Sequence, residues 1–478
     1  MYKSKIHLLW IVLLAACASV PERPPDLDLA VPEAWAAGST GDEIPDHWWQ
    51  RFGDPGLNGI VAEALEANYD LRAAASRLQA AAARIRIAGA GLFPQIGTNG
   101  SVSRQKRNFV GFPIPGSESG VLSSTTSLFG LSLDVSWEID LWGRMSAGRA
   151  ASVSEFQASN ADLFGYRLSL IGQTVKAWFA ATEGARQVAL AEATLKNYQT
   201  TNEQVFTRYR RGLQPSLDVR LSEANVAVAE ATLSRQRDLF QVSLRQLEIL
   251  LGRYPAGKIS VGSRLPDIGG YIPGGLPGDI VRRRPDLIAA EKRFTGAVLR
   301  VKEARRALYP KLTLTGSDGR SSDELKNLLE GDYSVWSLFG GLLQPLFQGG
   351  RLRAGVSLAQ AGENEAFARY AQSVLNAFAE VESTLAAENQ LEIQETALRQ
   401  AVRQSLEARR IAEDRYARGL SGLLAVLESQ RQAFTTQSQL LSIRRQRLDN
   451  RVNLTLALGG EFMKSGSESR KEGDSNET

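Results

Sequence analysis

A strict alternation of apolar and polar residues runs through positions 129–141, FGLSLDVSWEIDL. Every odd position is apolar, and every even position is glycine, serine, aspartate or glutamate. Period two is typical of a β-strand with one apolar and one polar face. A strand of a soluble sheet averages about five or six residues, so thirteen alternating positions favour a membrane strand instead. We expect the apolar side to face lipid and the acidic side a water-filled lumen, with a soluble sheet as the alternative.

The chain repeats its own pattern. Three markers return 207 residues later, and a fourth returns after 216. They are RYRRGL at 208–213 and RYARGL at 415–420, LLG at 250–252 and ALG at 457–459, GR at 143–144 and again at 350–351, and LFP at 92–94 with LYP at 308–310. One offset shared by three markers predicts an internal two-fold repeat, and the nine-residue difference is expected to fall in the strands.

The positions of proline predict very long helices. Proline is absent between Pro115 and Pro215 and after Pro345, and these segments are rich in good helix formers. Each repeat is therefore expected to contain a helix, a hairpin, a helix of about 100 Å, a turn and a helix of about 35 residues. The predicted helices are 56–91 and 144–211, then 284–308 and 351–418, and the predicted hairpins are about 95–141 and 311–347. Apolar seams with coiled-coil spacing support them, at Leu168, Ile171, Val175 and Trp178 and at Val374, Phe378, Val381 and Leu385.

Two hairpins supply only four strands, which do not close a barrel. An open sheet edge in lipid leaves backbone groups unpaired, at several kcal/mol each. A dimer would give eight strands with little lumen, and a trimer would give twelve. The sequence thus predicts a mainly α-helical chain whose four strands contribute to a membrane β-barrel completed by a trimer.

The beginning of the chain is typical of an exported lipoprotein. Lys3 and Lys5 precede the apolar run 8–18, which is too short to span a bilayer and fits a signal peptide. The run contains Leu14-Ala15-Ala16-Cys17, which resembles a bacterial lipobox, and Cys17 is the only cysteine. We expect residues 1–16 to be a signal peptide and Cys17 to be lipidated at the head of an extended segment, 17–55. An ordinary signal peptide with an incidental cysteine is the alternative.

Composition argues against several functions. The chain has two histidines, His7 and His47, and three methionines, which gives no support to a metal site or a histidine-based triad. Lys and Arg number 56 against 52 acidic residues and are interleaved with them, so no nucleic-acid surface is expected. We interpret the densest basic run, 282–284, as a solvated helix start. No enzyme activity, cofactor or metal is expected. Residues 253–281 are expected to pack as a linker in a belt, and residues 460–478 to be a disordered tail.

The chain resembles the TolC-type outer-membrane efflux channels, in their NodT-like lipoprotein branch. The motifs that carry the resemblance are WWxxFxDPxL at 48–57, NxDL at 68–71, FP at 93–94, DLWGR at 140–144, RPDL at 284–287 and the two YxxG turns. The resemblance implies a homotrimer, with a twelve-stranded barrel in outer-membrane lipid and a long antiparallel α-helical tunnel in the periplasm. It also implies two partners, a periplasmic adaptor (membrane fusion) protein and a proton-driven inner-membrane pump. The adaptor would dock at the turns, at Gly212, Leu213, Gly419 and Leu420.

The resemblance also assigns a gate. By position, Leu424 and Glu428 would form constriction rings at the periplasmic end. The locking contacts would involve Tyr209, Arg210, Glu223, Tyr416 and Arg431. Leu424 and Glu428 lie four residues apart and therefore on one helix face, and three copies of Glu428 would make a cation-selecting ring. Ala417 stands where relatives often have an arginine. We therefore expect the locking contacts on this side to be weaker, or to be made by Arg418 instead.

These observations predict a passive exit duct in the bacterial outer membrane. It would carry small molecules, such as drugs or toxic compounds, from the periplasm to the exterior, and an adaptor would open its periplasmic tip. The alternatives are a duct for protein secretion or metal export, and a lipid-tethered periplasmic coiled-coil scaffold.

Overall fold

The structure, a computed structural model, describes residues 32, 34–36, 47–109, 122–267 and 277–460. The expected signal peptide, the lipidation site Cys17, nearly all of the tail and part of the expected linker lie outside these residues. The described chain divides into two units. One unit holds the strands and comprises 88–154 and 291–367. The other holds most of the helical residues, within 31–87, 155–290 and 368–478.

The described residues are mainly helical and contain one four-stranded sheet. Its strands are β1 (Gln95–Phe109), β2 (Leu122–Ile139), β3 (Lys311–Ser322) and β4 (Ser334–Leu343), antiparallel in the order β1-β2-β3-β4. The helices are α1 (Pro55–Ala67), α2 (Tyr69–Ala90), α3 (Arg144–Arg210), α4 (Ser216–Leu250), α5 (Pro277–Arg283), α6 (Pro285–Arg306), α7 (Arg351–Ala417) and α8 (Leu423–Ala457). Within the described residues, no helix combines the length and the apolar character needed to cross a membrane.

The internal repeat is confirmed at the level of whole elements. α3 and α7 each have 67 residues, and α4 and α8 each have 35. In each pair the second helix begins and ends 207 residues after the first, so that α3 begins at 144 and α7 at 351, and α4 ends at 250 and α8 at 457. The predicted long helices at 144–211 and 351–418 are therefore α3 and α7, each ending one residue early.

The predicted single helix at 56–91 is wrong in one respect, because it is two helices that meet at Asn68. The Asn68 Oδ1 accepts a hydrogen bond from the backbone N–H of Leu71 at 3.0 Å and so caps α2. Its Nδ2 donates to the carbonyl of Leu250 at the end of α4, at 2.9 Å. The asparagine of the NxDL motif thus begins one helix and ties it to another.

The strand register separates the sheet into two faces. Val102, Phe129 and Ser322 lie opposite one another, as do Ile96, Val135 and Gly316. The apolar residues of the alternating stretch therefore share one face with those of β1. The opposite face carries Asp134, whose carboxylate accepts a hydrogen bond from the Ser317 hydroxyl at 2.7 Å. The alternation predicted this strand, but β2 ends at Ile139, two residues before the pattern does.

The DLWGR motif turns the chain from β2 into α3. The two carboxylate oxygens of Asp140 accept from the backbone N–H groups of Met145 at 3.0 Å and Ser146 at 2.8 Å, which caps α3. Gly143 adopts a φ of 73°, a value that favours glycine, and its carbonyl accepts from Arg306 at 2.8 Å. Asp140 is therefore a helix cap and not a strand residue, contrary to the sequence interpretation.

The core of the helical unit is aromatic. Trp48, Trp49, Trp178 and Phe179 are buried together with aliphatic residues of α1, α3, α4 and α8. The indole N–H of Trp178 donates to the carboxylate of Asp54 at 2.7 Å, and the same carboxylate caps α1. The WWxxFxDPxL motif therefore fixes the start of α1 against the middle of α3.

The pairing of α7 with α8 combines the predicted apolar seam with buried charge. Val374, Val381 and Leu385 are buried, as predicted, and Phe378 is half-buried against Trp35. One turn further along α7, Glu388 is also buried, and it accepts from the Arg447 Nε at 2.9 Å.

Arg447 is the centre of this buried cluster. Its Nη1 donates to Glu395 at 3.0 Å, and its Nη2 lies 3.2 Å from Glu392. Burial by itself lowers the pKa of Arg447, but the hydrogen bonds to Glu388 and Glu395 outweigh it and raise that pKa. Likewise, burial raises the pKa of Glu395, and hydrogen bonds from Arg399 and Arg447 outweigh it and lower that pKa. The charges are thus kept ionised inside the helix pair.

Arg284 corrects the expectation that the run 282–284 is a solvated helix start. Its side chain is buried and contacts both carboxylate oxygens of Asp286, at 3.0 and 2.8 Å. Its Nη1 also donates to Glu380 at 2.7 Å and to the carbonyl of Ala457 at 3.0 Å. Arg284 therefore joins the start of α6 to α7 and to the end of α8, and of the three arginines only Arg282 is exposed.

Arg284→Ala is expected to destabilise the protein by about 2 kcal/mol or more, because it removes charge-assisted hydrogen bonds and leaves the Ala457 carbonyl without its donor. The matched control, Arg282→Ala, is expected to change stability by less than about 0.5 kcal/mol. Thermal unfolding of the purified variants, followed by circular dichroism, measures the difference. Equal unfolding midpoints for the two variants would contradict the role of Arg284.

Candidate functional site

The two helix turns of the repeat have the same hydrogen bonds. At the first turn, the N–H of Gly212 donates to the Tyr209 carbonyl at 2.8 Å, and the N–H of Leu213 donates to the Arg208 carbonyl at 2.9 Å. At the second, Gly419 donates to Tyr416 at 3.0 Å and Leu420 to Arg415 at 2.8 Å. Gly212 and Gly419 have φ values of 73° and 76°, which this helix-ending motif requires. The YxxG motif is therefore a pair of matching C-caps.

Both turns present a leucine to solvent. Leu213 is 69% exposed and Leu420 is 65% exposed. Each lies directly after its capping glycine, where no helix covers it. Of the four residues predicted to dock an adaptor, the glycines shape the turns and the leucines form their apolar tips.

Next to the turns, the four long helices share one apolar cluster. It joins α3, α4, α7 and α8 through Tyr198, Val205, Val219, Ala229, Tyr416, Leu423, Val426 and Leu427. Tyr416, predicted to be a locking residue, is only 1% exposed. Burial raises the pKa of its phenol, and the nearby Arg208 partly offsets the effect. Tyr416 is therefore part of the core that joins the helices of one chain.

Arg208 links the two turns. Its guanidinium lies over the Tyr416 ring, 4.5 Å from the centroid, and its Nη2 donates to the Ala417 carbonyl at 2.8 Å. A cation over an aromatic face stabilises by about 0.5–2 kcal/mol. The backbone of Ala417 thus takes part in the contact even though its side chain does not. Arg418 pairs with Asp414 of its own helix at 3.0 Å.

The predicted gate residues lie on one exposed face of α8. Leu424 is 67% exposed, and the Glu428 side chain is 61% exposed. Glu428 pairs with Arg431, one turn further along, at 2.7 Å. In the single chain Glu428 and Arg431 thus form one ion pair, and their roles in a constriction ring and a lock stay predictions.

The remaining predicted locking residues do not gather into one site within the chain. Tyr209 and Arg210 are exposed at the end of α3. Glu223 accepts from Arg220 of its own helix at 3.0 Å. No hydrogen bond joins these side chains to one another in the single chain described, so a locking role would require contacts with a neighbouring chain.

Gln430 is a functional candidate that the sequence interpretation missed. It is buried, and its Nε2 donates to the Thr201 hydroxyl and to Glu413, both at 2.9 Å. It therefore connects α8 with α3 and α7, two residues beyond Glu428. Arg208 was also missed, although its recurrence as Arg415 in the second repeat marks the position.

A second polar cluster joins α3 to α8 away from the turns. Arg445 donates to Glu183 at 2.5 Å and also to Asp449, and Lys176 donates to Asn453 at 3.0 Å. Burial raises the pKa of Asp449 to about 6, against the opposing effects of Arg445 and Lys176. Asp449 therefore titrates well above the usual range of a carboxyl group.

Within the described part of the chain, no group of three or more His, Cys, Asp or Glu residues is arranged so that it could hold a metal ion. Most of the charged groups described above are paired with one another or cap helices.

Comparison with known proteins identifies relatives over nearly the whole chain. A model of the family described as outer membrane efflux protein matches residues 60–253 and 276–460. The pyoverdine export outer membrane protein OpmQ of Pseudomonas putida is 32% identical over 457 residues, which are 94% of this chain and 95% of that protein. The toluene efflux pump outer membrane protein TtgF of Pseudomonas putida is 30% identical over 474 residues, 95% of this chain and 97% of that protein.

The fold is similar to that of a solved channel. The crystal structure of the Campylobacter jejuni CmeC outer membrane channel matches with a TM-score of 0.86 and 25% identity. The match covers 95% of this chain and 97% of that one. The similarity therefore includes both the strands and the long helices.

Arg208→Gln is expected to accelerate amide hydrogen exchange in both turns, because it removes the stacking on Tyr416 and the bond to the Ala417 carbonyl. The matched control is Arg211→Gln, a neighbouring exposed arginine. Hydrogen exchange followed by mass spectrometry of peptides covering 205–213 and 412–422 measures the effect. Identical exchange in the two variants would show that Arg208 does not hold the turns together.

Asp449→Asn is expected to flatten the pH dependence of stability between about pH 4 and pH 6.5. The folded-state pKa of Asp449 is raised from 3.8 to about 6, so its stability contribution is complete below pH 3.8 and is lost as pH rises through 6. The difference between 3.8 and about 6 corresponds to at most about 3 kcal/mol in the free energy of unfolding. Unfolding midpoints of both proteins at pH 4.5, 5.5 and 6.5 provide the test. A variant midpoint that falls as steeply as the wild type's would exclude Asp449 as the cause.

Proposed function

The chain belongs to the outer membrane efflux protein family, and we propose that it works as a homotrimeric exit duct gated at the ends of its long helices. It is the outer-membrane component of an efflux system, and it resides in the outer membrane. We further propose that it passes small molecules outward without chemical change. Relatives described as exporting pyoverdine or toluene support cargo of this size.

The observation that carries the proposal is the division of the paired strands β1 and β2 into an apolar and a polar face. β2 alone places Phe129, Leu133 and Trp137 on one side and Asp134 and Glu138 on the other. Such alternation suits lipid on one side and a water-filled lumen on the other. β1 and β4 are the edges of the sheet within one chain. Three chains, each pairing β1 with a neighbour's β4, would close a barrel of twelve strands and satisfy both edges.

We place the gate on the exposed face of α8, at Leu424 and Glu428. In a trimer, three copies of this face would meet around the axis and narrow the duct. The Glu428 carboxylate also pairs with Arg431, so movement of α8 would rearrange two charges together. Exposed pairs of this kind are worth less than about 1 kcal/mol, which suits a contact that opens and closes. Tyr209, Arg210 and Glu223 would supply contacts between chains, and Tyr416 would support them from the core.

An adaptor would open this gate by docking at the turns. Leu213 and Leu420 are exposed apolar tips held by rigid glycine caps. Two similar tips per chain would give six in a trimer, a regular surface for a periplasmic partner. An inner-membrane pump, driven by protons, would supply the energy, and the duct itself would stay passive.

The ends of the chain have their own roles in this proposal. After removal of residues 1–16, lipid on Cys17 would anchor the segment 17–55 to the membrane. Residues 253–281 would pack as a belt around the helices between repeat 1, 56–252, and repeat 2, 282–459. Protein secretion and metal export are the alternatives, and the scarcity of histidine and methionine gives a metal relay no support.

The double variant Leu424→Ala, Glu428→Ala is expected to raise single-channel conductance in planar bilayers several-fold, because it removes both the apolar and the charged constriction. The matched control is Leu217→Ala. Leu217 is the repeat counterpart of Leu424, 207 residues earlier, and is 63% exposed. The control is expected to keep wild-type conductance. Unchanged conductance in the double variant would refute the gate, and absence of any channel in the wild type would refute the duct and favour the tethered scaffold.

A further inference from the structure

The apolar face of the sheet ends in two cations on β1. The even residues of β1 share this face, and they run from Ile96 and Val102, which are 70% and 75% exposed, to Arg104 and Lys106. The register of β1 against β2 is continuous from Gln95 to Phe109, without a bulge. Alternation therefore places both cations on the side of Ile96 and Val102, and not on the polar side.

The height of the apolar face indicates where these cations lie. On β2 it extends from Ile139 to Phe129, ten residues, or about 34 Å along the strand. With a tilt of 35–45° this spans about 26 Å across the membrane, close to the about 25 Å of a membrane barrel's apolar band. Val102 lies opposite Phe129, at the end of the band. Arg104 follows about 5 Å beyond it and Lys106 about 10 Å beyond it, which is the level of lipid headgroups.

The surroundings of the two cations suit an anion. Across the strand pair, Arg104 is opposite Ser127 and Lys106 is opposite Thr125, so hydroxyl groups flank both. Neither β1 nor β2 between Leu122 and Leu133 contains an acidic residue.

β3 carries further charged residues on the same face. Arg320 is the repeat counterpart of Arg104, 216 residues later, and it donates to the Leu329 carbonyl at 2.6 Å. Asp318 is exposed on this face in the row of Leu133, four residues nearer the helices than Phe129. The charge beyond the band on β1 and β2 is therefore purely positive.

We propose that Arg104 and Lys106 bind the phosphate groups of the phosphorylated glycolipid in the outer leaflet, of the lipid A type. The inference rests on the proposed function, because it requires the end of the sheet away from the helices to face outward. Arginine offers paired donors to phosphate oxygens, and lysine offers a point charge. Two cations on one face attract a lipid with two phosphates more strongly than a glycerophospholipid with one.

The test is lipid binding by the purified full chain in detergent, measured by native mass spectrometry with diphosphoryl lipid A as the probe. Arg104→Gln with Lys106→Gln is expected to weaken retention of diphosphoryl lipid A about tenfold. The matched control is Arg107→Gln. Arg107 is adjacent in sequence but on the polar face, opposite Ser124, and its loss is expected to change retention less than twofold.

Further arms of the experiment separate the outcomes. Monophosphoryl lipid A and phosphatidylglycerol are expected to bind the wild type more weakly, and equal retention of phosphatidylglycerol would overturn the assignment to the glycolipid. Equal retention of diphosphoryl lipid A by the double variant and Arg107→Gln would overturn the binding surface. All three proteins are first checked for recovery in outer membranes and for heat-modifiable migration. Failure of the wild type in that check would count against the proposed function itself, whereas a passing wild type with indifferent variants would overturn only this inference.

Discussion

The two unpaired edges of the four-stranded sheet are the constraint on which the rest of the molecule depends. In the hydrocarbon of a bilayer no water is available to form hydrogen bonds, so each backbone N–H and C=O at a sheet edge must pair with another strand. One chain supplies β1 and β4 as edges and has no further strand among its described residues to cover them. In the proposed trimer, β1 of each chain would pair with β4 of the next and so satisfy both edges.

The family motifs work mainly at the junctions between elements. Asp54, Asn68 and Asp140 each place a side-chain oxygen on the N–H groups of a new helix. Arg284 performs the related task of tying a helix start to the end of α8. Such junction residues stabilise by about 1 kcal/mol or somewhat more each, but they set the direction in which a 67-residue helix leaves the sheet or the turn. Their spacing in the sequence therefore reflects geometry and not chemistry on a substrate.

The two repeats have the same elements but different interiors. The α7–α8 pair contains the buried salt-bridge cluster of Glu388, Glu395 and Arg447, which is costly to separate because each buried side chain would lose its partner. Nearer the turns, the contacts of α8 include an exposed ion pair, the buried amide of Gln430 and the apolar cluster that contains Leu423, Val426 and Leu427.

The sequence by itself determined the features that depend on local pattern. Period-two alternation identified β2, the 207-residue offset identified the repeat, and the absence of proline identified α3 and α7 to within one residue. What only the tertiary structure decided is which polar side chains meet. Helical periodicity assigns a residue to a face, but the partner on that face is set by packing between residues far apart in sequence. Arg208 and Ala417 are 209 positions apart, so no local pattern in the sequence indicated the contact between the turns. For the same reason the sequence predicted Arg284 to be a solvated charge. In the structure, packing of the surrounding helices brings Glu380 and the Ala457 carbonyl within hydrogen-bonding distance of it.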